Sequence, residues 1–213
     1  MAKDADRRRR RLCGALGLGP LLAGLAASRS VYAQGSSGSV PRLSVVEAGR
    51  QLVAGGWVLM MRHEQTVPGV GDPPNFTLGD CSTQRNLSEQ GRARARRAGQ
   101  AMREAGIALS QVRAGRWCRT RDTAQLLMMG PTPRDEPAFG SFFAGQGDPA
   151  RQTAAAREIL RQWRGPGALV VVTHQVNVQG LTGVSPSTAE SLVVRVPAGN
   201  GPLQVLGRID PPD

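Results

Sequence analysis

Two histidines are the whole imidazole complement of this 213-residue chain, and each ends a short apolar run. His63 closes Gly56-Trp57-Val58-Leu59-Met60-Met61-Arg62-His63, and His174 closes Ala168-Leu169-Val170-Val171-Val172-Thr173-His174. Arg62 precedes the first, and Arg119 follows a third strand-like stretch. An imidazole with an unprotonated nitrogen is a covalent nucleophile. A guanidinium bonds phosphate oxygens in pairs and stays charged. A transferring phosphoryl group carries its negative charge over several oxygens, so its catalysis is mostly positioning and electrostatics. His63 as nucleophile, Arg62 and Arg119 as clamps and a protonated His174 as a further donor make up that kit. A His-His metal site would need a third ligand and would set Arg62 against a cation, so no metal is expected.

These groups lie far apart in the chain, so a fold must gather them. Apolar runs of this length read as buried strands. In an open α/β sheet, ligands bind outside the carboxyl ends of the strands. The spacing predicts a helix over Ser44–Ala54, a strand over Trp57–Arg62 and a long loop, Glu64–Leu87, rich in Gly, Pro, Asp and Asn. Ser88 caps the helix Glu89–Ala105, which Gly106 stops. A strand over Gln111–Trp117, a helix over Arg119–Met129 and a helix over Pro149–Trp163 follow. Ala138–Phe143 reads as a short strand or an ordered loop. The strand Leu169–Thr173, a helix over Val176–Thr182 and closing strands Ser191–Val196 and Leu203–Ile209 complete the chain, the last two expected as a hairpin across Gly199-Asn200-Gly201. Alternating strands and helices predict a three-layer α/β/α sandwich with a mostly parallel central sheet. The N-terminal amides of the helices near Arg119 and Gln175 are expected to add to anion binding. Phe139, Phe142 and Phe143 read as core rather than as a substrate platform.

With 40% apolar residues the chain can bury a core. Its formal charge of +11 invites a nucleic-acid reading. That reading weakens because residues 1–33 hold seven Lys+Arg against two Asp, leaving 20 against 14, a net +6, for the rest. The chain has one tyrosine and no basic stripe interleaved with aromatics, so no nucleic-acid partner is expected.

Arg7 to Arg11, the apolar Leu12–Ala27 and Val31-Tyr32-Ala33 form the three parts of an export signal. The expectation is a signal peptide over residues 1–33 cleaved after Ala33, a flexible linker over 34–43 and one domain over 44–213. The apolar stretch is too short to span a bilayer, so no membrane span should remain after processing. Arg9-Arg10-Arg11-Leu12 also fits a twin-arginine signal, which leaves the export route open. The place of action is then the periplasm or the exterior. Cys81 and Cys118 remain beyond the signal, as a disulfide of an exported protein or as two buried thiols.

The chain resembles the histidine phosphatase superfamily, also called phosphoglycerate mutase-like, from about Ser44 onward. Arg62-His63-Glu64-Gln65-Thr66 resembles its Arg-His-Gly nucleophile motif, and Leu87-Ser88-Glu89-Gln90-Gly91-Arg92 the Leu-Thr/Ser-x-x-Gly motif that opens a helix. Cys118-Arg119-Thr120-Arg121-Asp122-Thr123-Ala124 resembles the motif whose arginine holds phosphate, and Val170-Val171-Val172-Thr173-His174 the strand with the second histidine. The closest flavour is an exported bacterial subgroup, through Gly71-Asp72-Pro73-Pro74, Asp80 to Leu87, Trp117-Cys118-Arg119 and Ser141-Phe142-Phe143. Glu64 replaces the motif glycine, Gly115-Arg116 stands for Ser-Pro, and Gln175 stands where phytase-like relatives carry an acid.

The resemblance implies a phosphomonoester hydrolase of the cell envelope with His63 phosphorylated in passing, clamped by Arg62, Arg119 and His174, and needing no cofactor. Its partner would be a small-molecule or envelope phosphate ester. Gln84, Arg85 and Asn86 could line the pocket, with Gln84 and Asn86 expected at the substrate, or could equally be a polar turn. The acid that protonates the leaving group stays open among Asp135, Glu136, Glu64 and Asp80, or none. Glu64 beside the nucleophile and the missing acid motivate an alternative, a catalytically weak domain that binds phosphorylated ligands. A mutase fits poorly with export.

Overall fold

The strongest apolar runs form the centre of a mixed six-stranded sheet. In the computed structural model, which describes residues 39–127, 129–197 and 201–213, β1 (Trp57–Arg62) and β4 (Ala168–Thr173) lie side by side and parallel. Their register pairs Trp57 with Ala168 and Arg62 with Thr173. Every residue of β4 is buried, the pattern of a strand covered on both faces. The sheet order is β3-β2-β4-β1-β5-β6, with β2 at Leu109–Ala114, β3 at Arg134–Asp135, β5 at Ser191–Arg195 and β6 at Gln204–Ile209. The expectation of a mostly parallel sheet is met only in part. The pairings on the β3-β2-β4-β1 side are parallel, while β5 runs antiparallel to β1 and β6 antiparallel to β5. The chain re-enters the sheet at its carboxyl end, where the Ala189 amide donates to the His63 carbonyl, so β5 runs back antiparallel to β1.

Five helices cover the two faces among the described residues. Helices α1 (Val45–Leu52), α2 (Glu89–Glu104) and α3 (Cys118–Leu126) pack Leu52, Ala98, Met102, Ala124 and Leu127 against Leu59, Met61, Val112, Val170 and Val172. On the other face α4 (Pro149–Gln162) and α5 (Gln175–Thr182) pack Leu160, Val178 and Leu181 against Val58, Met60, Leu169 and Val171. Alternate residues of β1 and β4 thus feed opposite cores, which gives the three layers. The helix caps follow the sequence: Ser44 makes a capping box with Glu47, Ser88 accepts from the Gly91 amide, and Asp148 accepts from the Arg151 amide.

Several boundaries move. The second strand begins two residues earlier than expected and ends at Ala114, because Gly115 and Trp117 turn toward the sheet's carboxyl end. Ala138–Phe143 holds no strand; the segment makes two short 3₁₀ turns, Pro137–Phe139 and Phe143–Gly145. Pro41 to Leu43, expected within the linker, instead pair with β6. The Leu43 amide donates to the Arg208 carbonyl at 2.8 Å, and the Arg208 amide to Pro41 at 2.9 Å. The signal-peptide expectation and the Gly199-Asn200 turn lie outside the described residues. Among the described residues no helix is long and apolar enough to cross a membrane.

The Leu-Ser-x-x-Gly segment has a packing reason. A Cβ on Gly91 would lie 2.1 Å from the carbonyl oxygen of Gln65, two residues past His63. Glycine lets α2 press against the chain that leaves β1. Gly91→Ala is therefore expected to destabilise the protein by about 1–3 kcal/mol. Gly79→Ala, where a Cβ meets nothing within 4 Å, should leave the urea midpoint in place. Equal midpoints for both variants would contradict this packing.

Candidate functional site

The β1/β4 register carries each strand's last residue to the same edge, so His63 and His174 emerge as neighbours. The His63 amide donates to the Thr173 carbonyl at 2.9 Å. The two ring centroids are 5.2 Å apart with planes at 70°. His63 Nδ1 lies 2.8 Å from the Glu64 carbonyl oxygen, which can only accept, so Nδ1 carries the proton. That tautomer leaves Nε2 with its lone pair free. Burial, followed by the neighbouring arginines, lowers the His63 pKa to about 3, although the Glu64 carbonyl pulls the other way. His174, the N-cap of α5, is also buried, and its pKa falls well below the ordinary imidazole range through burial and then through His63 and the arginines. Both rings are neutral at neutral pH. The protonated His174 expected from the sequence is not the resting form; here it offers Nε2, a buried nitrogen with no hydrogen-bond partner.

Three arginines surround the pair. Arg62 is held by a 3.0 Å bond from Nη1 to the Pro186 carbonyl. Arg119, in the first turn of α3 and 3% exposed, lies with its guanidinium carbon 4.4 Å over the Trp117 ring. Trp117 in turn meets the His174 ring edge-on at 5.9 Å. Arg85 comes from the long loop. The Nε atoms of Arg62, Arg85 and Arg119 are all buried without a partner. These side chains line a cavity of about 400 Å3 at the carboxyl edge of the sheet, with Gln175 and Val176 from the N-terminus of α5 in its wall. Asp72 is the one carboxylate in that wall. Its Oδ1 accepts from Arg119 Nη1 at 3.0 Å and from the Arg85 amide at 2.9 Å.

The structure brings Arg62, His63, Arg119 and His174 together and leaves Gln84 and Asn86 out of the cavity wall. Gln84 is consumed by the loop. Its Nε2 donates to the carbonyls of Thr77 and Leu78, and its Oε1 accepts from the Cys118 amide at 2.9 Å. Trp117, at the N-cap of α3, has no side chain able to cap it, so Gln84 does so from 34 residues away. Asn86 Nδ2 donates to the Cys81 carbonyl. The residues between and before them, Arg85 and Asp72, reach the cavity instead. Cys81 and Cys118 form a disulfide, with Cα atoms 5.7 Å apart.

None of the four proposed acids lines the cavity. Glu64 is fully buried on the far side, 3.6 Å from Arg94 Nε, and burial raises its pKa. Glu136 pairs with Arg113 at 3.0 Å and Asp135 with Arg121 at 3.3 Å. Asp80 caps the short turn at Ser82. Arg85, which the sequence left open between pocket wall and polar turn, lines the cavity; Asp72 and Ser141, which carried no periodic signal, are the missed residues. Among the described residues, no group of three His, Cys, Asp or Glu side chains is placed to hold a metal ion.

No protein-family model matches the chain, and no curated protein matches it. Solved structures do. One is the protein histidine phosphatase SixA complexed with tungstate, at TM-score 0.52 and 15% identity, covering 71% of this chain and 95% of that one. Another is the mycobacterial glucosyl-3-phosphoglycerate phosphatase with VO3, at TM-score 0.52 and 15% identity, covering 70% and 96%. At such identities the likeness concerns architecture: the chain has the histidine phosphatase fold.

A folded-state imidazole pKa below the unfolded 6.5 means that the unfolded chain binds more protons. Stability therefore falls as pH drops from about 6.5 toward about 3, by up to about 5 kcal/mol for His63. Sulfate, whose charge stays constant over most of that window, should offset the loss by binding the folded state. At fixed ionic strength, Tm is expected to fall more steeply between pH 7 and 5 without sulfate than with it, and His63→Gln should flatten the sulfate-free profile. Identical slopes in all three would contradict the placement of these rings.

Proposed function

We propose that this chain is a phosphomonoester hydrolase of the histidine phosphatase superfamily that works through a phosphohistidine on His63. One observation carries the reading. Four buried nitrogens with no protein partner, Nε of Arg62, Arg85 and Arg119 and Nε2 of His174, belong to residues that line one cavity. Buried donors are normally satisfied, and leaving one unpaired costs about 1–3 kcal/mol. A tetrahedral oxyanion satisfies all four at once. The neighbours support the same chemistry, since the two of the same fold were solved with tungstate and with VO3.

The residues divide the work. Nε2 of His63 attacks phosphorus, forming the N–P bond as the bond to the leaving-group oxygen breaks and its electrons depart with that oxygen. Arg62, Arg85 and Arg119 hold the charge on the equatorial oxygens. The neutral His174 gains a proton more easily once the dianion is bound, since the anion reverses the local field. Water then attacks phosphorus, the N–P bond breaks, and phosphate leaves His63 with its lone pair. The Glu64 carbonyl holds the ring in the productive tautomer throughout.

Location belongs to the same proposal. The N-terminal signal pattern and the Cys81–Cys118 disulfide favour export to the cell envelope, where an oxidising medium keeps such a bridge. The alternative of a binding module loses one of its two motivations, because Glu64 pairs with Arg94 and does not line the cavity, and keeps the other, the lack of a leaving-group acid there.

His63→Ala should abolish turnover of an aryl phosphate and the acid-labile phosphate trapped on the protein, while tungstate still binds. Arg119→Ala should lower kcat/KM by 100-fold or more, the effect of one lost charged donor in a dry site. Full activity in His63→Ala, or wild-type kinetics in Arg119→Ala, would contradict the assignment. Phosphate binding without turnover of any ester in the wild type would favour the binding module.

A further inference from the structure

Phe143 was expected in the core and is not there. Phe139 is fully buried, and the tip of the Phe142 ring lies near Gly180 of α5. Phe143 is 69% exposed while lining the cavity beside Ala144 and Gln146. A single exposed apolar side chain is ordinary on a protein surface. This one is held out by a backbone that is not. Ala144 adopts a left-handed conformation, φ 53° and ψ 37°, followed by Gly145 at φ 78°. A non-glycine residue there costs about 1 kcal/mol and persists only where its surroundings fix it. The surroundings do so. The Phe143 amide donates to Ser141 Oγ at 3.2 Å, and the Gly140 carbonyl accepts from Asn177 Nδ2 at 2.9 Å and Gln152 Nε2 at 3.0 Å. The strained turn thus presents a ring at the mouth of the anion site, and the segment's packing is carried by Phe139 and Phe142.

The second observation is chemical. Asp72, the cavity's one carboxylate, is occupied by Arg119 and the Arg85 amide. No free carboxylic acid stands ready to protonate a departing alkoxide. Esters whose leaving group is stable as an anion need no such proton. A phenolate meets that condition and has a flat ring. The cavity, about 400 Å3, also holds far more than a phosphoryl group.

We propose that Phe143 is a specificity residue that stacks on an aromatic leaving group, so that the preferred substrates are aryl phosphates. This rests on the phosphohydrolase reading. In the transferring step the bond from phosphorus to the phenolic oxygen breaks, the phenolate keeps both electrons, and it takes its proton from solvent.

Two measurements test this. Calorimetry compares phenylphosphonate with methylphosphonate, neither of which is hydrolysed, so binding is read whether or not the chain turns over. The wild type should bind the phenyl compound about tenfold tighter. Phe143→Ala, a surface change that leaves the fold intact, should bind methylphosphonate within twofold of wild type and lose the phenyl preference. Equal affinities in the wild type, or a preference that survives in Phe143→Ala, would overturn the platform. Binding of neither phosphonate would overturn the anion site itself and this inference with it. The second measurement is kcat/KM across substituted phenyl phosphates. A steep rise as the leaving group becomes more acidic is expected, and a flat dependence would show that a proton is delivered and overturn the leaving-group argument. Failure of the phosphohydrolase reading looks different: both phosphonates bind and no ester turns over.

Discussion

Like charge gathered out of water is the condition the rest of this molecule serves. Three guanidinium groups and two imidazoles share one cleft with a single carboxylate to answer them. Burial, with their mutual repulsion, keeps both rings neutral, and the proposed nucleophilic role of His63 needs that neutrality. The same condition leaves donors unpaired. A fold that accepts this cost must fix each group by other means, and the structure shows how. The parallel β1/β4 register places the rings. The Glu64 and Pro186 carbonyls hold His63 and Arg62. Trp117 lies under Arg119 and against His174, adding a ring face and an edge to the single carboxylate, Asp72, that Arg119 meets.

The long loop between β1 and α2 is the second half of that arrangement. It is tied to the start of α3 by four contacts of different kinds. The Cys81–Cys118 bridge is covalent, Gln84 caps the helix, Phe76 packs on Trp117 with centroids 4.4 Å apart, and Asp72 meets Arg119. The loop carries Arg85 into the cavity as it passes. Asp72 stands where an oxyanion would meet Arg119, so it stabilises the arginine in the free protein and competes mildly for it with a ligand. A structureless excursion of this length would otherwise be hard to order.

Much of the centre was legible. Apolar runs without alternation announced β1 and β4, and the histidines ending them announced the sheet edge. Arg119 was legible because a helix had to begin beside it. What was not legible depended on partners distant in the chain. Nothing local in Gln84-Arg85-Asn86 says that the middle residue faces the cavity while its neighbours brace the loop; that follows from the Cys118 amide lacking a cap. Glu64 looked like a group beside the nucleophile, yet strand geometry sends its side chain toward Arg94. Phe143 sits in an apolar triplet with Phe142, and only the left-handed Ala144 separates a packed ring from an exposed one. The antiparallel pair of β5 and β6 agrees with the hairpin expected of the closing strands, whereas the antiparallel pairing of β5 with β1 escaped notice because an apolar strand does not declare its direction.

The most direct test of the central claim is a crystal structure of the protein grown with tungstate. One tungstate should lie in the cavity with Arg62, Arg85, Arg119 and His174 all bonded to its oxygens and Nε2 of His63 facing the metal atom. A cavity left empty while tungstate binds elsewhere, or a tungstate in place with His63 turned so that Nδ1 faces it, would contradict the claim that these charges are held apart for an oxyanion.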